Sequence, residues 1–73
     1  MDKVDRFVEQ QIRPLFNAIA EKAKLTDEER EIFYEREFLK WSLVKVSMAL
    51  PCSESTAKRR YRSARRKLNK ALN

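Results

Sequence analysis

Apolar side chains recur along this chain at intervals of three and four residues, the spacing that gathers them on one face of an α-helix. The C-terminal segment is the most regular, with steps of 4, 3, 4 and 3 residues between Ala57, Tyr61, Ala64, Leu68 and Ala71. Cationic side chains fill most of the positions between them. The pattern predicts one helix over residues 53–72 with an apolar seam, and residues 53–70 of it carry a basic face.

The N-terminal segment, residues 2–23, has the same spacing at Val4, Phe7, Val8, Ile12, Leu15, Phe16, Ile19 and Ala23. Pro14 lies inside it, and a proline in a helix interior removes one hydrogen bond and crowds the preceding turn. Either one helix kinks at Pro14, which we expect, or a second helix starts with Pro14 in its first turn. The apolar face is expected to be mainly core, although part of residues 1–24 is also a candidate partner or dimer face.

A further helix is predicted from Thr26 to about Leu39. Thr26 and Glu29 have the spacing of a capping box, in which each side chain accepts a hydrogen bond from the other residue's backbone N–H. One face of this helix should be formed by Ile32, Phe33, Arg36 and Leu39. The acidic positions are expected to form a solvated face, with contact to the basic helix as the alternative; they are Glu28, Glu29, Glu31, Glu35 and Glu37.

A short helix should precede the basic one. Ser42 has the position of its N-cap, and it should end at Leu50 because Pro51 disfavours the helical conformation of the residue before it. Cys52 is then a small, buried turn residue, and Ser53 caps the basic helix. The positions expected to be buried are Leu43, Val46, Leu50 and either Met48 or Ala49. A short helix, a tight turn and a longer basic helix form a helix-turn-helix pattern.

The composition agrees with an all-α fold, since the 73 residues include no glycine and only two prolines. A chain of this length forms one domain with a modest core. We therefore expect a bundle of four to five helices over residues 1–73 that ends in the helix-turn-helix. One cysteine excludes an internal disulfide and the lack of histidine argues against a zinc site, so neither metal nor cofactor is expected.

The positive charge is concentrated in one part of the chain. Residues 1–57 carry nine basic and eleven acidic side chains, a sum of −2, whereas residues 58–70 carry eight cations and no carboxylate. A nearly neutral body with one basic helix is typical of a protein that binds nucleic acid. A solvated face, RNA and an acidic protein are the alternatives, and the capped helix in front favours double-stranded DNA.

Two other function classes are disfavoured. The chain has no histidine to act as a general base and no glycine-rich phosphate loop, so we expect no enzyme activity. A membrane-surface helix would carry bulky apolar residues opposite its cations, whereas this seam is mostly alanine. No stretch suits a membrane span or a signal peptide, so a cytoplasmic, nucleoid-associated location is expected.

The helix-turn-helix pattern predicts which residues meet DNA. The first helix braces against the backbone, and the second places its N-terminal turns in the major groove. We therefore expect residues 54–62 to read base edges and residues 65–70 to lie near phosphates, with helix N-termini also approaching phosphate oxygens. The predicted DNA-binding residues are Ser42, Ser53, Glu54, Ser55, Thr56, Lys58, Arg59, Arg60, Arg62, Arg65 and Arg66.

Three motifs in the chain resemble the C-terminal promoter-binding domain, region 4, of bacterial sigma factors, and they are closest to the extracytoplasmic-function type. They are LTxxERExF at residues 25–33, WSLxxVxxxL at residues 41–50 and STAKRRYRSARRKL at residues 55–68. The same helices are similar to the LuxR-type regulator domain. The resemblance divides the chain into an N-terminal helix, residues 1–24, and a region 4-like core, residues 25–73.

The resemblance implies that the basic helix reads the promoter −35 element and that the domain contacts the RNA polymerase flap or another transcription factor. Some positions depart from the family. Pro51 replaces the usual glycine of the turn, and Lys45 replaces a usual glutamate. Glu54 and Ser55 stand where primary sigma factors commonly have a basic and an acidic residue that read bases. The family's usual target sequence therefore does not carry over.

We expect a protein without the sigma-factor domain that melts the −10 region, similar to small stand-alone regulators of phages and mobile elements. A sequence-specific transcription regulator is the leading prediction. One alternative is a DNA-packaging subunit similar to a small terminase, in which residues 1–24 would supply the oligomerisation segment. The other is a protein-interaction module that mimics a sigma domain without binding DNA.

Overall fold

The computed structural model describes residues 3–9 and 13–72, and these ranges form five helices and no strand. The helices are α1 (Lys3–Glu9), α2 (Arg13–Lys22), α3 (Asp27–Glu37), α4 (Leu43–Ala49) and α5 (Glu54–Ala71). The predicted all-α class and the C-terminal helix-turn-helix are confirmed, with α4 and α5 as its two helices. No helix in the described ranges is both long and apolar enough to cross a membrane.

Helix α5 is the centre of the fold, because it packs against each of the other four helices. Its predicted seam faces inward, with Ala57, Ala64 and Leu68 fully buried and Tyr61 half-buried. Two of these seam residues are alanines, and their small side chains let neighbouring helices approach the α5 backbone closely. The seam thus places the opposite, basic face of α5 toward solvent.

The core consists of two apolar clusters that meet at Tyr61. The larger cluster joins α1, α2, α3 and α5, and its aromatic centre is Phe16, stacked on Phe33 at 5.5 Å between ring centroids. The smaller cluster lies under the helix-turn-helix and is formed by Ile32, Val46 and Ala57. Tyr61 touches both clusters, so α5 connects the two parts of the core.

All three predicted helix caps are present. Thr26 and Glu29 form the capping box, with hydrogen bonds of 2.9 and 3.1 Å. The Ser42 hydroxyl accepts from the backbone N–H of Lys45, and the Ser53 hydroxyl accepts from that of Thr56, each at 3.1 Å. Because these bonds satisfy N–H groups that the helices leave free, they fix where α3, α4 and α5 begin.

Two lysines take the left-handed backbone conformation that usually favours glycine. Lys24 ends α2 with φ 59°, and Lys40 follows α3 with φ 61°. Around Lys24 the N–H of Leu25 donates to the carbonyl of Ala20, and the N–H of Lys24 donates to that of Glu21. This is a Schellman motif, completed by the burial of Leu25 and Ala20 in the core.

The N-terminal segment forms two described helices, α1 and α2, and Pro14 is the second residue of α2. Residues 10–12, where the two predicted arrangements differ most, lie outside the described residues. Val4, Phe7 and Phe16 are buried in the larger cluster, whereas Leu15 is exposed. The apolar face of residues 1–24 is thus mainly core, and the structure gives no support to a homodimer through it.

Several burial predictions near α4 were wrong. Met48 is 75% exposed, Ala49 is also exposed, and Leu43 and Leu50 are only half-buried. The reason is that α4 has seven residues and turns a single face, centred on Val46, toward α3 and α5. Cys52 is likewise half-buried rather than buried.

The predicted end of α3 was also too late. The helix stops at Glu37, so Leu39 falls in the following turn and is 40% exposed. Arg36 is half-buried, and its guanidinium donates to the carbonyl of Trp41 at 2.8 Å. Arg36 therefore ties the end of α3 to the start of α4.

Leu68→Ala should lower the free energy of unfolding by about 2–5 kcal/mol, because it leaves a cavity in the larger cluster. Met48→Ala is the matched control, since Met48 is mostly in solvent, and its change should stay within about 0.5 kcal/mol. Urea unfolding followed by circular dichroism measures both. Equal losses for the two variants would contradict the packing described for α5.

Candidate nucleic-acid interface

The outward face of α5 carries a line of polar residues opposite the buried seam. Ser55, Arg59, Arg62 and Arg66 follow one another at steps of four, three and four residues, so they share one side of the helix. All four are exposed, and they line one open groove together with Lys58 and Ser63. We call Lys58, Arg59, Arg62 and Arg66 the basic stripe.

One flank of α5 is paired with the N-terminal turn of α3. Arg60 forms a salt bridge with Glu28. About one turn after Arg60, Ser63 donates to Glu29 Oε2 at 2.5 Å, and one turn later Lys67 donates to Glu29 Oε1 at 2.8 Å. Both oxygens of the buried Glu29 carboxylate are therefore satisfied by side chains of α5.

The Glu29 carboxylate remains ionised although it is buried. Burial alone would raise its pKa, but the hydrogen bonds from Lys67, Ser63 and the Thr26 backbone N–H, together with the charge of Lys67, outweigh this effect. The result is a pKa of about 2, against an ordinary value of 4.5. At neutral pH this contact stabilises the folded state.

The other flank of α5 is paired with α1 and with the end of α3. Arg65 lies 3.0 Å from an oxygen of Asp5 and 3.4 Å from an oxygen of Glu37. The Tyr61 hydroxyl donates to the same Glu37 carboxylate. Burial, and then this hydrogen bond, raise the pKa of Tyr61. Burial of Arg65 opposes the charge of its guanidinium, but the contacts with Tyr61 and Asp5 outweigh this and raise the pKa of Arg65.

The prediction that α3 has a solvated acidic face holds for the exposed Glu28 and Glu31. It is wrong for the buried Glu29 and Glu35, and the alternative of contact with the basic helix is confirmed. Glu29 is only 5% exposed, and Glu28 and Glu37 bind α5. Glu35 is buried without an α5 partner, and one of its oxygens has no hydrogen-bond partner among the described residues. Burial, followed by the neighbouring Glu31 charge, raises the pKa of Glu35.

The cations of α5 are consequently of two kinds. Arg60, Arg65 and Lys67 are held by acidic side chains of the same molecule. The basic stripe is different, because none of its four side chains has an ion-pair partner within residues 3–9 and 13–72. Four unpaired cations on one exposed side of a helix form a surface suited to a polyanion.

Comparison with known proteins identifies the family of this chain. The family model described as Sigma-70, region 4 matches residues 23–70, about two thirds of the chain. This chain belongs to the sigma-70 region 4 family. The match contains all of α3 and α4 and nearly all of α5, and it leaves α1 and α2 outside. No curated protein and no solved structure matches the chain.

Membership in the region 4 family gives the chain a helix-turn-helix of a DNA-binding kind. The structure brings Ser55, Lys58, Arg59, Arg62 and Arg66 of the predicted set into one groove. Of the other predicted residues, four lie at helix starts: Ser42 and Ser53 as caps, Glu54 in the first turn of α5, and Thr56 half-buried beside it. Arg60 and Arg65, also predicted to bind DNA, lie on the paired flanks of this region 4 helix.

Sequence reasoning missed some residues that shape the interface. Ser63 lines the groove and holds Glu29, and Lys67 neutralises that carboxylate. The only indication in the sequence was that the predicted α3 segment is rich in carboxylates and the predicted α5 segment is rich in cations. Within the described ranges, no group of three or more potential ligand side chains is placed to hold a metal ion.

The Glu29 contact predicts how stability depends on pH. Because the folded-state pKa of about 2 lies below the ordinary 4.5, the contribution is complete above about pH 4.5 and is lost as the pH falls toward 2. Its size at neutral pH is on the order of 3 kcal/mol. Glu29→Gln should remove it while keeping the capping box, since glutamine also serves at that position.

The measurement is urea unfolding of the wild type and Glu29→Gln at several pH values between neutral and about 2. The difference between the two proteins should be largest at neutral pH and shrink on acidification. Glu28→Gln is the control, because that side chain is 53% exposed and its pair contributes little. A difference that does not change with pH would contradict an ionised, buried Glu29.

Proposed function

We propose that this region 4 domain is a sequence-specific transcription regulator that binds double-stranded DNA with α5 in the major groove. The observation that carries the proposal is the separation of the α5 cations. Acidic side chains neutralise both flanks, whereas the basic stripe on the outer side is left without partners. Such a surface supplies phosphate contacts and base-edge donors from one rigid helix.

The dimensions of the stripe fit this mode of binding. Ser55 and Arg66 are eleven residues apart, which corresponds to about 16 Å along a helix, and the major groove is about 12 Å wide. The first two turns, with Lys58 and Arg59, can therefore lie within the groove while Arg66 reaches its edge. Arginine and lysine donate to the O6 and N7 atoms of guanine, so these early positions are the proposed base readers.

Arg60 and Arg65 receive a different role from the one that the sequence predicted. Their guanidinium groups bind Glu28 on one flank, and Asp5 and Glu37 on the other. We assign them to positioning, because their ion pairs support the buried seam in fixing the rotation of α5 about its own axis. That rotation decides which side of α5 faces DNA.

The family also suggests the setting. Region 4 belongs to sigma factors, so we propose that this domain acts at promoters in contact with RNA polymerase or another transcription factor, in a phage or mobile element. The packaging-subunit alternative needs an oligomerisation segment in residues 1–24. Its apolar residues Val4, Phe7 and Phe16 are already buried in the fold, which favours the regulator.

Binding to duplex DNA should weaken steeply with salt. Each neutralised phosphate contributes about −0.9 to the slope of log K against log salt, so the four residues of the stripe predict a slope of about −4 from this surface alone. Arg62→Gln should reduce its magnitude by about 0.9. Fluorescence anisotropy of labelled duplex between about 50 and 200 mM NaCl measures the slope of log K against log salt for both proteins.

Arg60→Gln is the matched control, since it removes the same charge from the paired flank of α5. It should leave the salt slope nearly unchanged. A wild-type slope near zero would reject DNA binding, and equal slope changes in the two variants would reject the division of the cations.

Base reading is tested separately by selecting bound duplexes from a random pool, with and without RNA polymerase. Arg59→Ala should lose about 1–3 kcal/mol on the selected site and lose preference at one base pair. Arg66→Ala should weaken all duplexes alike. A uniform loss for Arg59→Ala would assign that residue to phosphate instead, and failure of polymerase to affect selection or bind the domain would argue against the polymerase contact.

A further inference from the structure

A second basic surface lies where α2 and α5 end. Lys22 in the last turn of α2 and Lys70 in the last turn of α5 line one shallow cavity of about 190 Å³, together with Lys67. Two alanines form the rest of its wall, so no carboxylate lines it. Lys67 is held by Glu29, whereas Lys22 and Lys70 are exposed and have no ion-pair partner among the described residues.

The neighbouring turn adds a third exposed lysine at an unfavourable backbone position. Lysines in the last turn of a helix interact well with its dipole, which by itself accounts for Lys22 and Lys70. It does not account for Lys24, whose φ of 59° is the conformation that favours glycine. Glycine suits this backbone position better than lysine, so the Lys24 charge can be removed there without a backbone cost. We call Lys22, Lys24 and Lys70 the lysine surface.

One member of the lysine surface, Lys70, continues the basic stripe. Lys70 follows Arg66 by four residues, so the cations extend along α5 for one more turn. Ser55 to Lys70 then spans about 22 Å, nearly twice the width of about 12 Å of the major groove. A helix that enters the groove by its first turns therefore carries its last turn past the groove's edge, toward a phosphate strand.

We propose that the lysine surface binds the phosphate backbone of the same duplex, outside the groove that α5 reads. This inference rests on the proposed function, because α5 must first hold the duplex. Lysines act as point charges on phosphate and carry no sequence information. The surface therefore adds affinity and salt dependence and leaves the choice of bases to the first turns of α5.

The test uses a duplex of about 20 base pairs, two helical turns, with affinity measured between about 50 and 200 mM NaCl. Lys22→Gln and Lys70→Gln should each reduce the magnitude of the salt slope by about 0.9 and weaken binding about five-fold near 0.15 M salt. Base preference in the pool selection should not change. Arg6→Gln removes an exposed cation from α1 and should leave the slope unchanged.

Lys24→Gly separates charge from folding. Glycine removes the lysine charge and also relieves the left-handed strain, so this variant should melt no lower than the wild type and still bind the duplex about five-fold more weakly. Equal or tighter binding by Lys24→Gly would show that the lysine makes no phosphate contact there.

The outcomes distinguish the two proposals. Unchanged slopes for Lys22→Gln and Lys70→Gln, beside a reduced slope for Arg62→Gln, would overturn the lysine surface and leave the DNA-binding stripe standing. No duplex binding by the wild type would overturn both. Lysine variants that keep duplex binding but lose binding to polyglutamate would assign the surface to an acidic protein, which also overturns the inference.

Discussion

The buried seam of α5, together with the pairing of its two flanks with acidic side chains of α3 and α1, decides how the basic helix is presented. Because α3 crosses α5, Glu29 near one end of α3 meets Lys67 and Glu37 at the other end meets Arg65. The buried alanines of the α5 seam bring the two helices close enough for these contacts. These contacts fix the rotation of α5 about its own axis. The basic stripe is the side of α5 that stays exposed to solvent.

The same pairing makes a helix with eight cations tolerable in a small domain. Three of the eight are neutralised within the fold, and the other five are distributed along the outer side of α5 and its last turn. The buried charge of Glu29 is stable because three hydrogen bonds and a cation hold it. The cations that stabilise the fold and those of the basic stripe are therefore different members of one series.

Local features could be predicted from the sequence because their causes are local. The caps at Thr26, Ser42 and Ser53 depend on residues three positions apart, and the α5 seam depends on helical periodicity alone. The helix-turn-helix and the region 4 family followed from these features and from the motifs around them. Helical periodicity also accounts for the grouping of the stripe residues on one side of α5.

The remaining features depend on how helices cross, which periodicity does not determine. Lys67 and Glu29 are 38 residues apart, and Arg65 and Glu37 are 28 apart, so their pairing appears only in the folded chain. The exposure of Met48 has a similar reason. The apolar residues of a seven-residue helix are compatible with more than one choice of buried face, and packing decides between them. The lysine surface also needs the ends of α2 and α5 to meet, which no local pattern indicates.

The division of the α5 arginines is tested most directly by NMR of the arginine side chains during a titration with duplex DNA. The Nε–H signals of Arg59, Arg62 and Arg66 should shift and broaden, because these guanidinium groups exchange water for DNA. The signals of Arg60 and Arg65 should stay nearly in place, since their acidic partners are retained. Equal shifts for all five arginines, or the largest shifts at Arg60 and Arg65, would contradict the account.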